Sequence, residues 1–157
     1  MDTPVPRPRV EAFLHAFAAG DPNTIAEFLH DDVVWTIRGP VEVLPFCGCH
    51  RGKAAVLDLL VRQVPAVIRV SPIVPEAVSI DGNQAALLIR RTGKRAADGR
   101  AISSRVANFF GFQHGLVISN LTLIDSFDAV EQFLGHSLTG HDDAPKVGDL
   151  ADDLVAI

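Results

Sequence analysis

His50 and Arg105 are the side chains whose types fit acid–base chemistry on a carbonyl compound. Histidine titrates closest to neutrality, which makes His50 the best general-base candidate. Its plain alternative is a solvated loop residue. The Arg105 guanidinium suits a carboxylate or an enolate. Equally, it suits a rim position beside Asp125 or Glu131. Asn120 and Thr122 could orient a ligand by hydrogen bonds, and Trp35 could stack on one or serve as core. Asp31 and Asp32 read as a helix end and strand start, and Asp125 as a cap for the segment after it. Arg90 and Arg91 are consecutive, so they straddle the two faces of a strand, with one exposed.

Other chemistries find no support. Cys47-x-Cys49-His50 has one residue between the cysteines and no second ligand cluster, so no metal site is expected. The stretch Gly48 to Ala54 lacks the length, and the Ser or Thr after Lys53, of a phosphate loop. No nucleophile elbow is present. No cofactor is expected.

The elements that must position these residues follow from periodicity. Val10, Phe13, Leu14 and Phe17 make one helix face, which Gly20 stops. Asp21-Pro22 restarts a helix with Asp as cap and Pro at its first position. Val33 to Ile37 is a strand, Gly39 to Gly52 a loop, and Lys53 to Arg62 a third helix. Ile68 to Ile80 carries Pro72 and Pro75 and is an edge or bulged strand. Gln84–Arg91, Arg100–Phe112 and Leu116–Asp125 follow turns at Asp81-Gly82, Asp98-Gly99 and His114-Gly115. Phe127 to Leu134 closes with a short helix. The fold class is α+β, with three N-terminal helices packed on a curved, mainly antiparallel sheet.

Composition bounds the rest. The 157 residues suit a single domain over residues 1–137, and residues 138–157 form an acidic tail, either mobile or a short docked helix. Val147, Leu150, Leu154 and Ile157 keep the helical spacing that the docked form needs. A net charge of −5 without a basic stripe argues against nucleic acid. No apolar run is long enough to span a membrane. Two cysteines and an N-terminus without an export-type apolar stretch make the cytoplasm the expected compartment. Ala85 to Ile89 is apolar without alternation, so both strand faces need cover. A second subunit packed through the back of the sheet would supply it; the chain's own tail is the alternative.

Several segments together resemble the SnoaL-like branch of the nuclear-transport-factor-2-like superfamily, over roughly Val10 to Ser137. They are Ala18-Ala19-Gly20-Asp21, Leu29 to Trp35, Pro45 to Val56 and Ile124 to Val130. The resemblance implies a cone-shaped α+β barrel with a deep apolar pocket, usually dimeric, and places His50 where that pocket opens. The superfamily spans isomerases, cyclases, hydrolases, dehydratases and binding modules, so fold does not fix function.

The catalytic residues of relatives are not carried over. Ketosteroid isomerases use a carboxylate base with a Tyr and a protonated Asp. Those positions correspond here to Ile37, Phe13 and a site near Ala107, and the chain has no Tyr. The Asp–Arg–Asp set of similar epoxide hydrolases finds Thr122, and Arg90 and Arg91, without an acid.

Taking His114-Gly115 as a two-residue loop pairs Phe109 with Asn120, Ala107 with Thr122 and Arg105 with Ile124, and directly opposed residues share a face. The expected ligand-binding lining is then Phe13, Phe17, Trp35, Ile37, Ala107, Phe109, Asn120 and Thr122, with His50 and Arg105 as catalytic candidates. This pattern suits a flat or hydrophobic small molecule held by one or two hydrogen bonds, and the resemblance implies an apolar, carbonyl-containing or polyketide-like one. Acid–base isomerase or cyclase chemistry and non-catalytic binding remain the two readings.

Overall fold

A computed structural model describes residues 3–138. The expectations for the tail, including the helical spacing of Val147 to Ile157, lie outside the described residues. Helix α1 (Arg7–Ala19) buries Val10, Phe13, Leu14 and Phe17 and ends at Gly20, whose φ of 71° is the left-handed conformation glycine adopts without penalty. The Asp21 carboxylate accepts from the Asn23 backbone N–H and the Thr24 hydroxyl, capping α2 (Pro22–Ala26). Strand β1 (Leu29–Arg38) begins earlier than expected, with Asp31 and Asp32 exposed inside it. An edge strand β2 (Gly48–Arg51) follows.

The third helix is not uniform. It runs as α3 (Lys53–Asp58), a π-helical turn (Leu59–Gln63) and α4 (Val64–Val67). Pro65 explains the interruption. It has no N–H to continue the α ladder, and the Val64 N–H instead reaches Leu59 O, five residues back.

The single edge strand expected over Ile68–Ile80 is two strands, β3 (Ile68–Val70) and β4 (Val74–Asp81), parted at Pro72. Both pair with β5 (Gln84–Arg95), and β6 (Ala101–Gln113) and β7 (Leu116–Ile124) complete the sheet. Seven strands run β2-β1-β7-β6-β5-β3, with β4 also on β5; the β1–β7 pair is parallel and all others are antiparallel. Helix α5 (Ser126–Leu134) packs on β6. Asp125 is its N-cap residue, yet its side chain makes no cap hydrogen bond.

The β6–β7 register corrects the sequence reading. Gln113 does pair with Leu116 across a two-residue loop, with His114 and Gly115 at φ 51° and 76°. A bulge then intervenes: Phe112 pairs with Val117 and Gly111 with Ser119, so Ile118 has no partner. Beyond it Phe110, not Phe109, opposes Asn120, and Asn108, not Ala107, opposes Thr122. A one-residue slip exchanges the faces. Phe110 is 2% exposed and Phe109 47%. Gly111 lies beside the bulge, where a Cβ would stand 2.5 Å from Ser119 Oγ.

The core sits between the helices and one sheet face. Phe110 meets Phe13, Phe17 and Trp35 at ring separations of 4.9, 5.3 and 5.9 Å. On β5, Ala85, Leu87 and Ile89 point into this core, while Ala86 and Leu88 are half-buried on the outer face.

Candidate functional site

Besides His50 on the edge strand, the helix-covered face carries polar groups in two places. In the first, Asn120 Nδ2 donates to Thr122 Oγ1 at 2.7 Å, and Thr122 Oγ1 donates to Asn108 Oδ1 at 2.9 Å. These are the buried polar side chains among the described residues; no carboxylate is buried with them. The chain of bonds leaves a donor, Asn108 Nδ2, and an acceptor, Asn120 Oδ1, buried and unpaired. Such groups are costly unless something meets them. Sheet register places Asn120 beside Trp35 and Thr122 beside Ile37.

The second place is a cavity of about 250 Å3 between the end of α1, α2, the π-helical turn and the β3–β4 connection. Phe17, Ile25, Leu60, Val64 and Pro72 line it, and Arg91 is its one ionic residue. Strand alternation from Ile89 turns Arg91 to the helix side. Arg91 is half-buried as a residue, but its Nε is sealed from solvent and has no partner. Burial pushes its pKa below the usual arginine value. Asn108 pairs with Leu87, four residues before Arg91, so the two polar places stand roughly 13 Å apart along β5.

Of the expected lining, Phe17 alone borders this cavity. Phe13, Phe17, Trp35, Ile37, Asn120 and Thr122 are all buried on the helix side. Ala107 and Phe109 lie on the other face, for the reason of register given above. Arg105 is also outside, exposed, with Nε 3.0 Å from Glu76 Oε2; it pairs neither with Asp125 nor with Glu131. His50 sits on the edge strand opposite Trp35, half-buried and on the helix side. Its Nε2 lies 3.0 Å from Phe46 O. A carbonyl only accepts, so Nε2 carries the proton and Nδ1 is the basic nitrogen. His50 and Arg105 therefore do not converge. Arg91 was legible only as half of a straddling pair; the inward apolar series Ala85, Leu87, Ile89 was the signal that pointed it inward.

The neighbouring ionisable groups are structural. Asp58 accepts from Arg62 Nε and Nη2 at 2.7 and 2.9 Å and from Gln63 Nε2 at 2.8 Å, which lowers its pKa to about 2. Burial pushes the Cys47 thiol up to about 11, while Cys49 is exposed. Among the described residues no three His, Cys, Asp or Glu side chains gather as a metal set. No described helix is long and apolar enough to cross a membrane.

The outer sheet face is apolar in its middle. Phe109, Leu121 and Leu123 are exposed there. A groove of about 610 Å3 runs beside them, with Thr36, Arg38, Ser79 and Asp81 among its walls.

Comparison with known proteins agrees with this architecture. The family model for the SnoaL-like domain matches residues 10–120. No match was found among curated protein sequences. Among solved structures, a Rhodopseudomonas palustris protein provisionally assigned as an isomerase is 33% identical, with a TM-score of 0.72 over 82% of this chain and 97% of that one. A Catenulispora acidiphila protein with a ketosteroid isomerase-like fold, in complex with trimethylamine, is 14% identical, with a TM-score of 0.64 over 84% and 95%. TerC co-crystallised with polyporic acid is 18% identical, with a TM-score of 0.65 over 75% and 89%. The two latter likenesses show the fold, the α+β cone. Matched by the family model over most of its length, and sharing a third of its residues with a structure it covers almost completely, the chain belongs to the SnoaL-like domain family.

Proposed function

We propose that this protein holds a compact, largely apolar organic molecule in the helix-side cavity, without turning it over. One observation carries this reading: the cavity wall is mainly apolar, with Arg91 and Ser71 as its polar side chains, and holds neither a carboxylate nor an imidazole. A pocket of this kind supplies shape and burial, with few polar groups to fix orientation. Its volume lies just under the range usual for drug-sized ligands, which points to a small molecule or a small part of a larger one. Acid–base catalysis needs a group within hydrogen-bond reach of the transferred proton. None of the cavity's lining residues is a carboxylic acid or a histidine.

The experiment is a thermal-shift titration with neutral aromatic probes, benzamide and cinnamamide, on the wild type and on Leu60→Phe. Leu60 lines the cavity, and the larger ring reduces its volume. A saturable rise in Tm for the wild type that Leu60→Phe abolishes supports the reading. Equal shifts in both proteins overturn it, as does the absence of a shift both with these amides and with the matching carboxylates.

A second reading, an acid–base isomerase or cyclase acting on an apolar carbonyl or polyketide-like compound, draws on one specific arrangement. His50, Trp35 and Asn120 occupy one row across three strands of the helix-covered face. His50 would act as base through Nδ1, and the unpaired Asn108 Nδ2 would stabilise a developing oxyanion. Turnover that vanishes in His50→Gln and in Asn108→Leu would establish it.

The exposed apolar strip on the sheet's outer face supports a homodimer through that face. The free thiols of Cys47 and Cys49 support a reducing compartment such as the cytoplasm.

A further inference from the structure

We propose that the cavity takes an organic anion: a carboxylate on a compact apolar body, paired with the guanidinium of Arg91. The inference rests on the reading of this cavity as the ligand site and adds the ligand's charge.

Among the described arginines, Arg91 is set apart by burial without a partner; Arg38, Arg51, Arg69 and Arg100 are exposed to solvent. Arg7, Arg62, Arg90, Arg95 and Arg105 each pair with a carboxylate, and Arg9 donates to the Gly115 and Glu27 carbonyls. Arg91 has no hydrogen bond or ion pair with any described residue, and its Nε is sealed from solvent. A buried cation without a counter-charge is strongly unfavourable and is retained where something else supplies the charge. The residue stays protonated despite its burial, because a guanidinium loses its proton only far above physiological pH. Its planar fork matches a carboxylate through two parallel N–H···O bonds.

The surroundings decide the rest of the ligand. Phe17, Ile25, Leu60, Val64 and Pro72 are apolar, and Ser71 adds a single hydroxyl, too little to hold a polyvalent or strongly hydrated anion. Inorganic phosphate or sulfate would leave most of its oxygens unmet against such walls. A monoanion with an apolar body satisfies both the charge and the walls. Ser104, directly opposite Arg91 on β6, is the nearest register partner with a hydroxyl.

The test uses the full chain at pH 7 and three pairs of probes: benzoate with benzamide, phenylacetate with phenylacetamide, and cinnamate with cinnamamide. Each pair keeps the body and changes the charge. Affinities are read by calorimetry. The expected result is that at least one carboxylate binds wild type tenfold or more tightly than its amide. Arg91→Met should lower that carboxylate's affinity at least tenfold and leave the amide's within about twofold. Arg91→Met is also expected to raise Tm, since it replaces an unpaired buried cation by an apolar side chain of similar reach. A purely structural arginine would give a fall instead. Arg91→Lys, which keeps the charge and loses the fork, should retain weaker carboxylate preference. Amides binding as tightly as carboxylates to wild type overturns the anion inference and leaves the cavity reading standing. The same holds for a carboxylate preference that survives in Arg91→Met. If no probe of either kind binds, both fail. The wild-type comparison needs no variant to fold.

Discussion

Arg90 and Arg91 are adjacent in the chain and live in opposite surroundings. Arg90 turns to the outer face and reaches Glu76 at 3.0 Å, whereas Arg91 turns inward and meets no described partner. Strand alternation alone separates them. The same alternation, carried through the β6–β7 bulge, decides which residues face the helices and which face outward.

The register can be tested through neighbouring phenylalanines. Phe110 packs against Phe13, Phe17 and Trp35, so Phe110→Ala is expected to cost about 3–5 kcal/mol. That loss should not depend on protein concentration. Urea denaturation checks it. A loss below about 1 kcal/mol would return Phe110 to the surface and restore the unbulged register.

Phe109 should behave differently, because it belongs to the exposed strip with Leu121 and Leu123. Phe109→Glu is expected to leave the fold intact and shift the molecule from dimer to monomer in light scattering at micromolar concentration. A wild-type protein that is already monomeric at that concentration contradicts dimerisation through the sheet.

The Asn120–Thr122–Asn108 chain gives a third expectation. Thr122→Val keeps the shape of the side chain and removes the hydroxyl that both amides use, which leaves two more buried polar atoms unpaired. The expected cost is about 1–3 kcal/mol by denaturant titration, with Thr122→Ser recovering most of it. Equal stability of the valine variant would mean the amides have other partners.

Much of this was legible in the sequence, and the failures have physical causes. Helix α1, the Asp21 cap and the His114-Gly115 hairpin follow from periodicity and turn chemistry that act locally. Phe13, Phe17, Trp35 and Asn120 lie on the helix side that the sequence suggests. Ala107 and Phe109 were misplaced because a single unpaired residue, Ile118, inverts everything beyond it. Gly111 inside an apolar strand was the available sign of that bulge. The π-helical turn was hidden behind ordinary helical spacing, although Pro65 marks where the α ladder had to break. Arg91 escaped because its importance lies in a missing partner, which spacing does not show.

The two cysteines should differ in reactivity. Cys49 is exposed and is expected to react promptly with a thiol reagent at pH 8, while Cys47 reacts only on unfolding. Burial raises the Cys47 pKa from 9.0 to about 11. Below about pH 9 both folded and unfolded chains keep that thiol protonated. Between there and about pH 11 the unfolded chain releases a proton that the folded chain retains, so stability falls as pH rises through this window. Cys47→Ala should flatten that part of the stability profile. Two equally fast thiols in the native protein would contradict the burial.

The cavity itself is best interrogated by methyl NMR on the full chain during titration with cinnamate and cinnamamide. Ile25, Leu60 and Val64 line the helix-side cavity, and Leu121 and Leu123 mark the outer face. The expected result is saturable shifts at Ile25, Leu60 and Val64, with the outer-face methyls unmoved. Shifts confined to Leu121 and Leu123, or none anywhere, would contradict ligand binding beneath the helices.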